Sequence, residues 1–146
     1  MSTLKKYRPE IGPDFIATNF GRLRTARCVY DFAVDGGADA LITPTNGETI
    51  PINAVVLGAF INVITAVTSG GSATVSVGLS AGAGGAAALL AATAKASLGT
   101  GLTVGVPTPA VPVKMSAAGK ITFTPAVAVL TAGKIEVVVL YFQCAG

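Results

Sequence analysis

From residue 29 onward, short β-branched and aromatic runs alternate with Gly, Pro, Asn and Asp, the pattern of a sandwich or a barrel rather than of packed helices. Eight strands are predicted, over residues 29–34, 40–43, 55–67, 73–79, 102–106, 111–115, 120–124 and 134–142. Reversals are expected where glycine permits positive φ, at Asp35-Gly36-Gly37, Thr45-Asn46-Gly47, Ser69-Gly70-Gly71, Ala118-Gly119 and Ala132-Gly133. One short Ala-rich helix is predicted over residues 86–97, bracketed by Gly84-Gly85 and Gly99. Lys95 would stand in its last turn, and Leu89 and Leu90 would dock it.

Successive side chains of a strand point to opposite faces, so a strand with one wet face alternates apolar and polar residues. Two segments do not. Along 55–67, Val55, Leu57, Ala59, Ile61 and Val63 oppose Val56, Gly58, Phe60 and Ile64; along 134–142, Ile135, Val137, Val139 and Tyr141 oppose Val138, Leu140 and Phe142. Strands apolar on both faces are normally covered on both faces. In a small sandwich the second cover is another subunit or a packed loop. Val56, Phe60, Ile64, Val138, Leu140 and Phe142 are therefore the candidate subunit-contact residues.

Residues 1–28 sustain no periodic apolar face and are interrupted by Pro9, Gly12, Pro13 and Gly21, which predicts an extended N-terminal arm ahead of a body over residues 29–146. Lys5, Lys6, Arg8, Arg22, Arg24 and Arg27 outnumber Glu10 and Asp14 in it, which suits the arm to an acidic surface. The alternative is a solvated terminus.

Charge then changes the picture of the body. Charged residues make up 12% of the 146-residue chain while apolar residues reach 51%, against about 25% charged in an ordinary domain. Of the ten basic and seven acidic residues, only Glu48, Lys95, Lys114, Lys120, Lys134 and Glu136 lie beyond residue 40. A monomer of this size exposes on the order of 6,800 Å², and so few charges over that area predict apolar patches larger than soluble monomers tolerate. Subunit contacts follow, unless Thr, Ser and Gly keep the surface wet.

Chemistry narrows the reading mostly by exclusion. The chain has no histidine, which removes imidazole-based triads and the commonest metal ligand. No carboxylate lies between Glu48 and Glu136, so paired-acid catalysis has little to draw on. Asp31, Asp35 and Asp39 read as turn and strand-end residues, without the ordered acidic spacing of a Ca²⁺ loop. Gly82-Ala83-Gly84-Gly85-Ala86-Ala87 fits a loose dinucleotide fingerprint, but no acidic residue follows about twenty positions on to hold a ribose. Non-enzymatic function, with no cofactor, no metal and no small-molecule substrate, is the expectation. Nucleic-acid binding is weak as a reading, because a net charge of +3 is modest and the body offers no basic, aromatic platform. Residues 1–14 lack the apolar stretch of a secretory signal, and no run suits a membrane span. Cys28 and Cys144 are expected to be free thiols.

Three pieces occur in a distinctive order: Ser72-Ala73-Thr74-Val75-Ser76-Val77-Gly78, then Leu89-Leu90-Ala91-Ala92-Thr93, then Lys120-Ile121-Thr122-Phe123-Thr124 followed by Leu130-Thr131-Ala132-Gly133-Lys134-Ile135-Glu136-Val137-Val138-Val139-Leu140-Tyr141. In that order, across roughly residues 44–142, the chain resembles the jelly-roll decoration, or cement, proteins of tailed bacteriophages. The resemblance implies an all-β, antiparallel jelly-roll sandwich. It further implies a homotrimer on the outer surface of a virion, bridging neighbouring major capsid proteins and stabilising the shell. The basic arm, through Lys5, Lys6, Tyr7, Arg8, Arg22, Arg24 and Arg27, would then be the capsid contact. A host-surface or glycan-binding jelly-roll module of a phage particle is the alternative, although Trp is absent and the aromatic residues fall mostly in the arm and strands.

Overall fold

A computed structural model describes residues 22–82, 85–104 and 112–144. The strands are β1 (Leu23–Asp31), β2 (Ala54–Ser69), β3 (Thr74–Leu79), β4 (Leu90–Ala94), β5 (Gly101–Val104), β6 (Val113–Lys114), β7 (Ile121–Ala126) and β8 (Leu130–Gln143). They form two antiparallel sheets. One has the order β1-β8-β2-β5, with β6 also paired to β2; the other has the order β4-β3-β7. The chain passes between the sheets at β2–β3, β4–β5, β6–β7 and β7–β8, giving the all-β, jelly-roll-like sandwich expected.

The core lies between the sheets because inward positions are apolar on both. Ala26, Cys28 and Tyr30 of β1, Ile61 and Val63 of β2, and Ile135, Val137 and Val139 of β8 are buried from one side, and Val75, Val77, Ile121 and Phe123 from the other. Tyr30 and Phe123 meet across the gap with ring centroids 5.2 Å apart, a contact worth about 0.5–1.5 kcal/mol beyond the area it buries. The Tyr30 hydroxyl donates to the Gly36 carbonyl at 2.6 Å, so the buried phenol is satisfied.

Four expectations are corrected. The first strand begins at Leu23 rather than residue 29, so residues 23–28 belong to the sheet and residues 1–22 remain for an arm, of which residues 1–21 lie outside the described residues. Its inward residues Ala26 and Cys28 are too small to make the alternation conspicuous. Residues 40–43 form no strand; Ile42 makes a single bridge to Phe123.

The Ala-rich segment is not an α-helix. Gly85–Ala87 and Lys95–Ser97 are 3₁₀ turns flanking strand β4. A dozen Ala-rich residues form only a marginal helix in water, and Leu89 and Leu90 are adjacent rather than one turn apart. As an edge strand the segment buries Ala88, Leu89 and Leu90 and gains ladder bonds to β3. The one α-helix among the described residues is a single turn, Phe32–Asp35, capped by Asp31, whose carboxylate accepts from the Ala33 amide.

The last reversal falls after β7, around Val127, and not at Ala132-Gly133. Gly133 lies inside β8, where φ +149 and a register break against β2 mark a bulge. Val127 takes φ +75, a conformation that a β-branched residue seldom adopts, so the turn carries no sequence signal.

Candidate functional site: the outer face of the five-stranded sheet

Register decides which apolar residues face outward. Across β1, β8 and β2 the aligned rows are Leu23–Phe142–Val55, Thr25–Leu140–Gly58, Arg27–Val138–Phe60 and Val29–Glu136–Asn62. Directly paired residues share a face. Phe60, Leu57 and Ile64 are 43–44% exposed and Leu23 is 62% exposed, while Val55, Val138, Leu140 and Phe142 are partly covered.

The structure thus brings five of the six candidate subunit-contact residues, Phe60, Ile64, Val138, Leu140 and Phe142, to one side that no other described element covers. The sixth is corrected: Val56 is fully buried. A register shift between Val56 and Gly58 inserts one residue, so Val56 and Ala59 both point inward and the simple alternation fails across the bulge. Leu23, Val55 and Leu57 complete the face and were not foreseen. Leu23 could have been found by extending the alternation Thr25, Arg27, Val29 backward.

A polar band crosses the upper end of the same face. Arg27 pairs with Glu136, whose other oxygen accepts from the Asn62 amide at 3.4 Å, and Lys134 lies 3.0 Å from Asp31. The Arg27 guanidinium, followed by the Asn62 amide, holds the Glu136 carboxyl below the usual range; the Lys134 ammonium, followed by the Ala33 amide, does the same for Asp31. These charges are balanced within the protomer, so the face is apolar and locally neutral.

The predicted arm residues divide. Lys5, Lys6, Tyr7 and Arg8 lie outside the described residues. Arg22 precedes β1 and Arg24 lies within it, both exposed. Arg27 is on the sheet and engaged with Glu136. The edge of β1 also carries Cys28, buried beside Asn46 and Gly47; burial, and secondarily the charge of Asp35, pushes its thiol up to about 12. A thiol so protonated is a poor nucleophile. Both cysteines are free. Among the described residues no group of His, Cys, Asp and Glu is placed to hold a metal ion, and no helix is long and apolar enough to cross a membrane.

No protein-family model matches the chain, and no curated protein sequence does. Solved structures do. The fold is similar to a chain in the capsid of Ralstonia phage GP4 (TM-score 0.59, 18% identity, 87% of this chain and 88% of that one). It is also similar to one in the Cyanophage Pam1 capsid asymmetric unit (0.55, 18%, 86% and 87%). A third match lies in the acid-stable capsid of Helicobacter pylori bacteriophage KHP30 (0.56, 18%, 86% and 91%). Over nearly the whole length of each partner, the chain shares its fold with components of phage capsids.

Proposed function

We propose that the chain is a structural virion protein that decorates the outer surface of a phage capsid and stabilises it by bridging neighbouring major capsid proteins, as a homotrimer. The observation that carries this reading is the outer face of the five-stranded sheet: Leu23, Leu57, Phe60, Ile64, Val138, Leu140 and Phe142 form an apolar surface bordered by internally balanced ion pairs. A surface of that kind marks a protein contact. The fold's likeness to capsid chains supports a lattice as the setting. Self-contacts use this face, and residues 1–21 with Arg22 and Arg24 act as a strap over adjoining capsid subunits.

Multivalency makes weak contacts sufficient. Once one protomer of a trimer is bound, the other two meet their sites at a high effective concentration, and release requires all three to let go. The test is cosedimentation of the purified protein with capsid shells of the phage that encodes it. Wild type is expected to pellet with shells, and a variant lacking residues 1–21 to stay largely in the supernatant while keeping its β spectrum. The deletion stops at residue 21 because Leu23 begins the sheet. Equal pelleting of both proteins would sink the strap, and failure of wild type to pellet would sink the capsid reading.

A further inference from the structure

Among the described strands β1 lies at the edge of its sheet, and an edge strand presents unpaired N–H and C=O groups to any chain that can add to it. In β1 these belong to the odd-numbered residues, since Arg27 and Val29 bond away from β8. The side-chain amide of Asn46 acts there as a surrogate strand residue: its Oδ1 accepts from the Val29 N–H at 3.1 Å and its Nδ2 donates to the Val29 carbonyl at 2.8 Å. Glu48 closes Arg27 in the same way, its carboxylate accepting from the Arg27 N–H at 2.6 Å and its own N–H donating to the Arg27 carbonyl at 3.0 Å. The same connection between β1 and β2 closes β7 in the opposite sheet, where Ile42 and Phe123 exchange bonds of 2.7 and 2.8 Å. One loop therefore seals both sheets along one flank.

The consequence for self-pairing follows from register. With Arg27 and Val29 occupied and the Asp31 N–H bonded to the Asp35 carboxylate at 3.0 Å, Leu23 and Thr25, both exposed, are left to aim backbone groups outward. The symmetric antiparallel register that uses them sets Leu23 against Thr25 of a second copy and faces Arg24 with its own equivalent, a like-charge opposition. If the Asn46 and Glu48 side chains and the Glu48 N–H are withdrawn from the edge, a longer symmetric register opens. Leu23 then faces Val29 of the second copy, Thr25 faces Arg27, and Ala26 stands at the centre. Each such facing pair exchanges two backbone bonds, and Arg24 faces Cys28 rather than another arginine.

We propose that the outer edge of β1 is a latent pairing surface for a second copy of this chain, held shut by Asn46 and Glu48. The guard directs association away from strand addition, which would open onto aggregates, and leaves it to the face of the sheet.

The test is sedimentation velocity on the full chain carrying Asn46→Ala and Glu48→Pro, since proline removes the Glu48 carboxylate and also the N–H that holds the Arg27 carbonyl. Relative to whatever species wild type forms, the variant is expected to double in mass as concentration rises, while amide exchange at residues 25, 27 and 29 slows on association. Adding Thr25→Pro removes one outward N–H without touching the ladder to β8, a position where edge strands accept proline, and should abolish the doubling. Glu48→Gln with Asn46 intact keeps an oxygen acceptor for the Arg27 N–H and the backbone donor to the Arg27 carbonyl, and should behave as wild type. If the double variant loses its β spectrum, Asn46→Ala with Glu48→Ala carries the same comparison, leaving only the Glu48 N–H on the Arg27 carbonyl. A folded variant with wild-type mass at every concentration, or a doubling that survives Thr25→Pro, would overturn the proposal.

Discussion

Thr122 offers a sharp test of the packing. It lies on β7 directly opposite Gly78 of β3, on the side of the three-stranded sheet away from the core. The 3₁₀ turn Gly85–Ala87 lies over that pair so closely that a Cβ on Gly78 would come within 2.1 Å of the Gly85 carbonyl oxygen. Thr122 is fully buried as a result, and its hydroxyl has no hydrogen-bond partner among the described residues. An unpaired buried hydroxyl costs about 1–3 kcal/mol of desolvation, and the methyl that replaces it in Thr122→Val adds about 0.8 kcal/mol of burial. The two shapes are nearly the same and both are β-branched, so strand propensity is preserved. Allowing for imperfect fit of the new methyl, the substitution is expected to stabilise the fold by about 1–2 kcal/mol, raising the melting temperature by roughly 3 °C per kcal/mol. Thr122→Ser keeps the hydroxyl and deletes a methyl, so it should destabilise by about 1 kcal/mol. Urea unfolding followed by circular dichroism measures both, with an unchanged m-value as the control. A Thr122→Val protein less stable than wild type would mean that the hydroxyl is bonded in solution and would refute this account of the covered face.

Four other outcomes are expected. Phe60→Asp places a charge on the half-exposed outer face; it should leave monomer stability within about 1 kcal/mol and abolish self-association in sedimentation, whereas unchanged association would remove this face from the interface. Val127→Gly relieves a positive φ at a 71% exposed turn residue and should stabilise by about 0.5–1 kcal/mol net of the greater backbone entropy of glycine, readable by thermal unfolding. Because the folded-state pKa values of Glu136 and Asp31 are depressed, their stabilisation is present above the unfolded carboxylate range near pH 4 and is lost as pH falls through the lowered folded values. Wild type should therefore lose more stability on acidification than Glu136→Gln does, and parallel acid curves would contradict it. Iodoacetamide at pH 8 should label Cys144 in the native protein and Cys28 only after unfolding, as mass spectrometry of the peptides would reveal.

Local pattern carried the class of the fold, because β-branched runs punctuated by glycine cannot be laid out as helices. It also carried the two long apolar strands at the centre of the five-stranded sheet. What it lacked was anything that depends on a partner strand. The bulge after Val56 turns that residue into the core although its neighbours alternate regularly, since a bulge is a property of the pair. Leu23 was hidden because Ala26 and Cys28 are small, so the strand's inward side looked empty. The Ala-rich segment was legible only as helix propensity, and the ladder to β3 overrode a propensity worth a few tenths of a kcal/mol per residue.

The sequence by itself determined that this protein is a β body with too few charges to wet its whole surface, because composition sets the balance of apolar and ionised area whatever the fold. Only the tertiary structure decided where the unsheltered area lies. Register across β1, β8 and β2 gathers it onto one face, and contacts between residues some twenty apart, Asn46 and Glu48 with Val29 and Arg27, close the neighbouring edge. Both are set by which strands pair and how far they are shifted, and such long-range pairing energies leave no mark on the local order of residues.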